Sequence, residues 1–510
     1  MFKNHPKGLL AAALANMGER FGFYTMMAIL VLFLQAKFGL SGPNAGIIYS
    51  IFYFSIYILA FVGGLIADKT KNFKGTILVG LILMAIGYFL IAIPTETPVP
   101  QGSFVTLLAM TCFGLFVIAF GNGLFKGNLQ ALVGQMYDNE QYGKMRDSGF
   151  SLFYMFINVG AIFAPLAAVG VRNWWVSSHG FAYNSDLPGL CHSHLDQTIS
   201  ADGATKLVDL ASKAGFTGTD MTTFANEYLN VFATGFHYAF AVAIGAMLIS
   251  LVIYLTNKKK FPNPKTKQEI AAGVQAGEMD IKEVKQRLYA LFAVFAVVIF
   301  FWFSFHQNGL TLTYFAKDYT DLSQININLG FTNLVGAELF QSINPFFVVF
   351  LTPVILAVFA ALRARGKEPS TPKKIAIGMG IAASAYVLMA VGSMGVPTKE
   401  AITEMGGLPD AQRITPLLLI GTYFILTVAE LFISPLGISF VSKVAPPKYQ
   451  GMMQGLWLCA TAIGNSLLFI GAILYENIPI SMTWTVFIVA CCISMGTMFF
   501  MLRWLERVSK

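Results

Sequence analysis

Residues 9–36 read LLAAALANMGERFGFYTMMAILVLFLQA. A bilayer core about 30 Å thick is crossed by roughly 20 apolar residues in a helix, and this stretch is long enough to do so with Glu19 and Arg20 at its middle. The apolar run starts at Gly8, shows no small-residue cleavage site and continues past Leu34. That is too long for the apolar region of a secretory signal, so no cleavable leader is expected. Backbone polar groups must be satisfied inside lipid, which leaves a helix as the reading of such a segment.

The same pattern recurs along the chain. Twelve membrane helices are predicted, near 9–36, 43–67, 75–94, 103–136, 147–171, 237–256, 287–316, 334–362, 372–394, 414–442, 449–475 and 480–504. Composition agrees: 56% of the 510 residues are hydrophobic and 12% charged, against about 25% charged in a soluble domain. The net charge of +8 could suggest nucleic acid, but its distribution suggests a membrane instead. With the N-terminus in the cytoplasm, 25 of the 34 Lys and Arg fall in inner loops and tails, 7 outside and 2, Arg20 and Lys126, within helices. That asymmetry predicts both termini inside.

Two polar segments divide the chain. Residues 1–171 and 237–256 form a first six-helix half and residues 287–510 a second. Residues 172–236 are expected as an extracytoplasmic loop domain, and 257–286 as a cytoplasmic linker with an amphipathic helix that includes Ile281 to Leu288. Two similar halves around a central site are a common transporter plan. The loop contains Cys191, His192 and His194, whose spacing matches no common zinc pattern. No disulfide framework is available, since the other four cysteines fall in apolar segments.

Charged groups inside a bilayer are costly and mark function by default. Helix 1 carries Glu19 and Arg20, helix 4 Lys126, helix 7 His306, and helix 10 Glu430. At about 100° per residue, Asn16, Arg20, Phe23, Tyr24 and Met27 share one face. Asn158 and Asn344 add polar groups in helices 5 and 8. The bland alternative is that these groups only hold helices together. Fixed charge of both signs, spread over both halves, favours a cavity for a zwitterion, because a base can hold a carboxylate and an acid an ammonium. The Gly63-to-Lys69 stretch, with Asp68, reads as a gating loop closing helix 2. No phosphate-binding loop, zinc-protease motif or nucleophile elbow occurs, so neither an ATP-driven pump nor an enzyme is expected.

Several of these motifs resemble a known family, the proton-dependent oligopeptide transporters of the major facilitator superfamily. Gly18-Glu19-Arg20-Phe21-Gly22-Phe23-Tyr24 resembles most of its helix 1 signature. Gly121 to Asn128, followed by Ala131 to Gly134, is similar to its helix 4 motif, and Arg146 to Gly160 to the signature leading into helix 5. Glu430 to Gly437 and Gly455-Leu456-Trp457 resemble its helix 10 and 11 motifs. The resemblance implies an all-α major facilitator fold of twelve helices and import of di- or tripeptides through a bacterial inner membrane. It implies no cofactor beyond a coupling proton and a functional unit of one chain. It also implies a peptide site lined by Arg20, Tyr24, Tyr57, Lys126, Asn158, Asn344, Glu430 and Trp457. Lys126 would face the peptide carboxylate, and Asn158, Asn344 and Glu430 its amino end.

The departures bear on coupling. Asn16 stands where the family signature begins with glutamate, Met27 replaces a further arginine, and His306 holds an acidic position of helix 7. Asn16 cannot titrate, so coupling would rest on Glu19, Glu430 or His306, with Asp68 in gating. A carrier for another small zwitterion or organic anion, such as an amino acid or nitrate, is the alternative. A receptor or passive channel is the reading from a different class, and counterflow separates a carrier from a channel.

Overall fold

The computed structural model describes residues 5–137, 139–142, 146–262, 280–446 and 449–509. Among these, twelve helical stretches are long and apolar enough to cross a membrane, as expected. The first half contains α1 (Leu9–Phe38), α2 (Gly42–Thr70), α3 (Phe73–Ala92), α4 (Phe104–Gln135) and α5 (Arg146–Ser178). Two short helices, α6 (Leu187–Leu195) and α7 (Ala201–Lys213), precede α8 (Met221–Asn257). The second half contains α9 (Ile281–Phe305), α10 (Thr311–Tyr319), α11 (Ile343–Ala364) and α12 (Thr371–Gly392). It ends with α13 (Lys399–Glu404), α14 (Leu417–Val444), α15 (Gln450–Ser466), α16 (Leu468–Asn477) and α17 (Ile480–Val508).

Local signals set the ends. Ser41 and Ser370 accept from the backbone N–H groups of Asn44 and Lys373, each with a proline in the first turn, a pairing that pre-forms a helix start. Gly39 closes α1 in the left-handed conformation at φ 61°. Outward faces carry exposed Phe350, Leu356 and Phe500, suited to lipid.

Within the first half α1 packs on α5 and α8, and α4 on α2 and α3; within the second, α12 packs on α14 and α17, and α9 on α15. The halves meet where α2 lies against α15 and α16, and where α5 lies against α11. Counting membrane spans, these are spans 2 with 11 and 5 with 8. The two pairs interchange when each span is matched with the one six later, the relation expected of repeated halves.

Several boundaries differ from the sequence reading. The Gly63-to-Lys69 stretch is not a loop: α2 runs on to Thr70 and ends at Lys71, φ 52°. Gly63 is there for close approach, since a Cβ on it would run into the backbone of Gly123 on α4. Ile281 to Leu288 is not a separate linker helix either. Asp280 caps the start of α9, so these residues open a membrane helix. Of the predicted linker 257–286, Asn257 ends α8, Lys258–Lys260 form a 3-10 turn, and residues 263–279 lie outside the described residues. The outer loop is shorter than 172–236, because α5 continues to Ser178 and α8 begins at Met221. Arg172, counted among outer-loop bases, is a fully buried helical residue.

Overpacking at a close crossing costs about 1–3 kcal/mol. We expect Gly63→Val to lower the thermal unfolding midpoint of the detergent-solubilised protein by several degrees. Gly245→Ala, on α8 with open space where its Cβ would sit, should leave the midpoint unchanged or slightly raised. Equal midpoints for both variants would contradict the tight α2–α4 crossing.

Candidate functional site

The helix predicted over 287–316 is broken. α9 stops at Phe305, His306–Gly309 form a single 3-10 turn, and α10 resumes at Thr311. The helix predicted over 449–475 also breaks, between Ser466 and Leu468. The breaks are stitched to each other. The Gln307 amide donates to the Leu468 carbonyl at 3.2 Å and accepts from the Thr311 hydroxyl. His306 Nδ1 lies 2.5 Å from Asn465 Oδ1. Freed backbone groups at membrane depth are tolerated where neighbours satisfy them and where they line a cavity, and His306 does line one.

That cavity lies between the halves, with a volume of about 330 Å³, the lower end of the roughly 300–1,000 Å³ usual for small-molecule sites. All eight residues named as peptide-site candidates, Arg20, Tyr24, Tyr57, Lys126, Asn158, Asn344, Glu430 and Trp457, border it. Met27 borders it too. Glu19 does not: it is fully buried behind Arg20. Asp68, in the last turn of α2, is also outside the cavity wall.

The charges in the wall differ in how they are satisfied. Arg20 Nε and Nη2 donate to the two Glu19 carboxylate oxygens at 2.5 and 2.6 Å, and Asn122 Nδ2 adds a bond to Glu19 at 2.6 Å. The guanidinium also sits 4.5 Å from the Phe23 ring centre. This pair is internally neutral. Lys126 Nζ instead stands 4.9 Å over the Tyr57 ring, with no carboxylate at ion-pair distance among the described residues. Glu430 Oε2 accepts from Asn344 Nδ2 at 2.9 Å, and again no cation is within ion-pair distance among the described residues. Asn344 is itself held by Thr427, also at 2.9 Å, and Asn158 donates to the Tyr154 carbonyl at 3.0 Å. Among the described residues, the cavity wall therefore carries one basic group from the first half and one acidic group from the second without a counter-ion.

Sequence reasoning missed much of the aromatic wall. Tyr49 and Tyr53 line the cavity beside Tyr57; their four-residue spacing puts them on one face of α2 and could have been read directly. Tyr53 and Trp302 pack on His306 at ring distances of 4.6 and 4.9 Å.

At the end of the bundle that carries α6 and α7 the halves are closed. Glu476 accepts from the Gly42 N–H at 2.8 Å, and the Tyr314 hydroxyl donates to the Gly42 carbonyl at 2.9 Å. Arg172 on α5 makes a buried ion pair with Glu338, just ahead of α11. Asn173 donates to the carbonyls of Asn333 and Val335 at 2.7 and 2.9 Å. The loop domain reaches across as well: Asp186 pairs with Arg413 of the second half at 2.7 Å, and Ser200 donates to the Glu404 carbonyl. Cys191, His192 and His194 are not gathered as ligands. His192 Nε2 donates to the Ala36 carbonyl at 2.7 Å, while His194 faces Thr222. Among the described residues no metal-holding group of three occurs.

The geometry has counterparts. The PTR2 model, described as the POT family, matches residues 74–276 and 265–487. A peptide transporter of Yersinia enterocolitica is 28% identical, the match covering 91% of this chain and 87% of that protein. A di-/tripeptide transporter of Lactococcus lactis is 26% identical over 91% and 89%. A crystal structure of a peptide transporter POT in complex with sulfate aligns at TM-score 0.71 and 22% identity, over all of this chain and 96% of that one. A POT family transporter in complex with 5-aminolevulinic acid aligns at TM-score 0.71 and 21% identity, over 100% and 98%. The fold is thus of the major facilitator type, as the sequence led one to expect, and the chain, a transporter rather than an enzyme, belongs to the POT family.

Proposed function

We propose that this protein imports di- and tripeptides through a bacterial inner membrane by alternating access, with protons as the coupling ion. One observation carries the reading: Lys126 and Glu430, each without a counter-ion among the described residues, face one cavity from opposite halves. A zwitterion satisfies both at once, its carboxylate at Lys126 and its ammonium at Glu430. Binding then draws the halves together across the cavity, which is the differential affinity a ligand needs to shift a conformational equilibrium. The peptide transporters among the relatives support the choice of peptide.

With both termini cytoplasmic, as the basic loops indicate, the closed end faces outside. The cavity forms within one chain, which supports a monomeric functional unit. Coupling falls to Glu430 and His306, since Asn16 carries no proton and the Glu19 carboxylate is fully engaged by Arg20 and Asn122.

The test is uptake of labelled dialanine into proteoliposomes under a pH gradient, compared with a membrane potential alone. Concentrative uptake driven by an inwardly directed proton gradient is expected. Uptake indifferent to the gradient would overturn proton coupling. Uptake of free alanine or nitrate in place of dialanine would overturn the substrate.

A further inference from the structure

A second cavity, about 340 Å³, lies between the halves at the closed end, and the loop domain forms part of its wall. Its charges do not balance pair by pair. Lys399 Nζ is 2.8 Å and Lys317 Nζ 3.6 Å from the oxygens of Asp318, and the Tyr475 hydroxyl donates to the same carboxylate at 3.1 Å. Two ammonium groups thus share one carboxylate. Glu476, the next residue on α16, could balance the second lysine. Its Oε1 accepts from the Gly42 N–H instead, and it forms no ion pair among the described residues. Glu338 provides an independent sign. It is fully buried in the cavity wall, and while Oε1 meets Arg172, Oε2 has no hydrogen-bond partner among the described residues. A buried carboxylate oxygen without a donor is costly, and a ligand N–H would remove that cost.

We propose that this vestibule is a second binding site for short zwitterionic peptides, an entry subsite ahead of the central cavity. The peptide carboxylate meets Lys317 and Lys399, and its ammonium meets Glu476 and the buried, unpartnered oxygen of Glu338. Arg172 takes no part, being held by Glu338 and by the rings of Tyr183 and Phe236 at 4.4 and 5.1 Å. Burial pushes the imidazole of His192, in the same wall, below its ordinary value. The loop domain thereby gains a task as one wall of the subsite.

The inference rests on the reading of the chain as a peptide carrier, and one experiment separates the two. Binding of radiolabelled L-alanyl-L-alanine to the purified full chain should show a tight and a weak component. Glu476→Gln, which keeps an acceptor for the Gly42 N–H, should abolish the weak component and spare the tight one. Lys399→Gln should weaken the weak component about 10-fold, the loss of roughly one charge-assisted hydrogen bond. Lys126→Ala should do the reverse of Glu476→Gln, removing the tight component. A single component in the unmodified protein, unaltered by Glu476→Gln, overturns the vestibular site and leaves the carrier standing. No saturable dialanine binding in any of the four proteins overturns both.

Discussion

Lys126→Ala and Glu430→Ala are each expected to reduce dialanine uptake in proteoliposomes by at least about 30-fold. Truncating one partner of a buried, hydrogen-bonded charge pair costs roughly 2–5 kcal/mol, and each 1.4 kcal/mol is about tenfold. The two losses are not equivalent. If Lys126 meets the carboxylate, Lys126→Ala should bind dialanine and its C-terminal amide equally poorly while still discriminating against N-acetyl-dialanine. Glu430→Ala should show the opposite pattern, indifferent to N-acetylation and still sensitive to amidation. Reading variants against ligand deletions in this way isolates each pair from general damage. Lys126→Arg keeps the charge but changes its shape and its fit over the Tyr57 ring, so a partial loss is expected there. Normal dialanine uptake by both alanine variants would remove the central site from this cavity.

The part of this site legible in the sequence is the part whose cost is local. A charge in an apolar helix declares itself through desolvation, and Arg20, Lys126 and Glu430 were found that way. Hydropathy likewise marked twelve spans that the structure retains. Contacts made at a distance in the chain were not legible. Glu338 meets Arg172 across 166 positions, and sequence places Arg172 in a loop because the polar pair Arg172-Asn173 interrupts the apolar run after Val171. The helix in fact continues through Trp174 and Trp175 to Ser178. The breaks in spans 7 and 11 were also missed. No proline marks them, and a 3-10 turn over His306–Gly309 leaves average hydropathy unchanged. The neighbouring His306, Gln307 and Asn308 were the available signal, three polar side chains at membrane depth that helical geometry alone cannot place on one face.

Glu338→Ala carries the second large expected effect, and its sign depends on whether the protein alternates. Arg172 and Glu338 are both fully buried, and breaking such a pair strands a charge at a cost of about 3–5 kcal/mol. In a rigid protein that cost appears as lost stability. Here a cheaper outcome exists: separating the halves at this end hydrates the guanidinium. An imbalance of about 3 kcal/mol moves a two-state equilibrium more than 100-fold, so the variant should populate a form open at the α6–α7 end. Spin labels at Val208 and Glu400, exposed positions on α7 and α13, should report longer distances in Glu338→Ala, and dialanine uptake should fall at least tenfold because closure is disfavoured. Arg172→Met combined with Glu338→Met should restore the short distances, since apolar pairs of similar volume replace buried ion pairs at little cost. The rings of Tyr183, Phe232 and Phe236 around the guanidinium give the methionines an apolar site to fill. Unchanged distances and uptake in Glu338→Ala would mean that this pair does not hold the halves together, and that closure rests on the Gly42, Asn173 and Asp186 contacts instead.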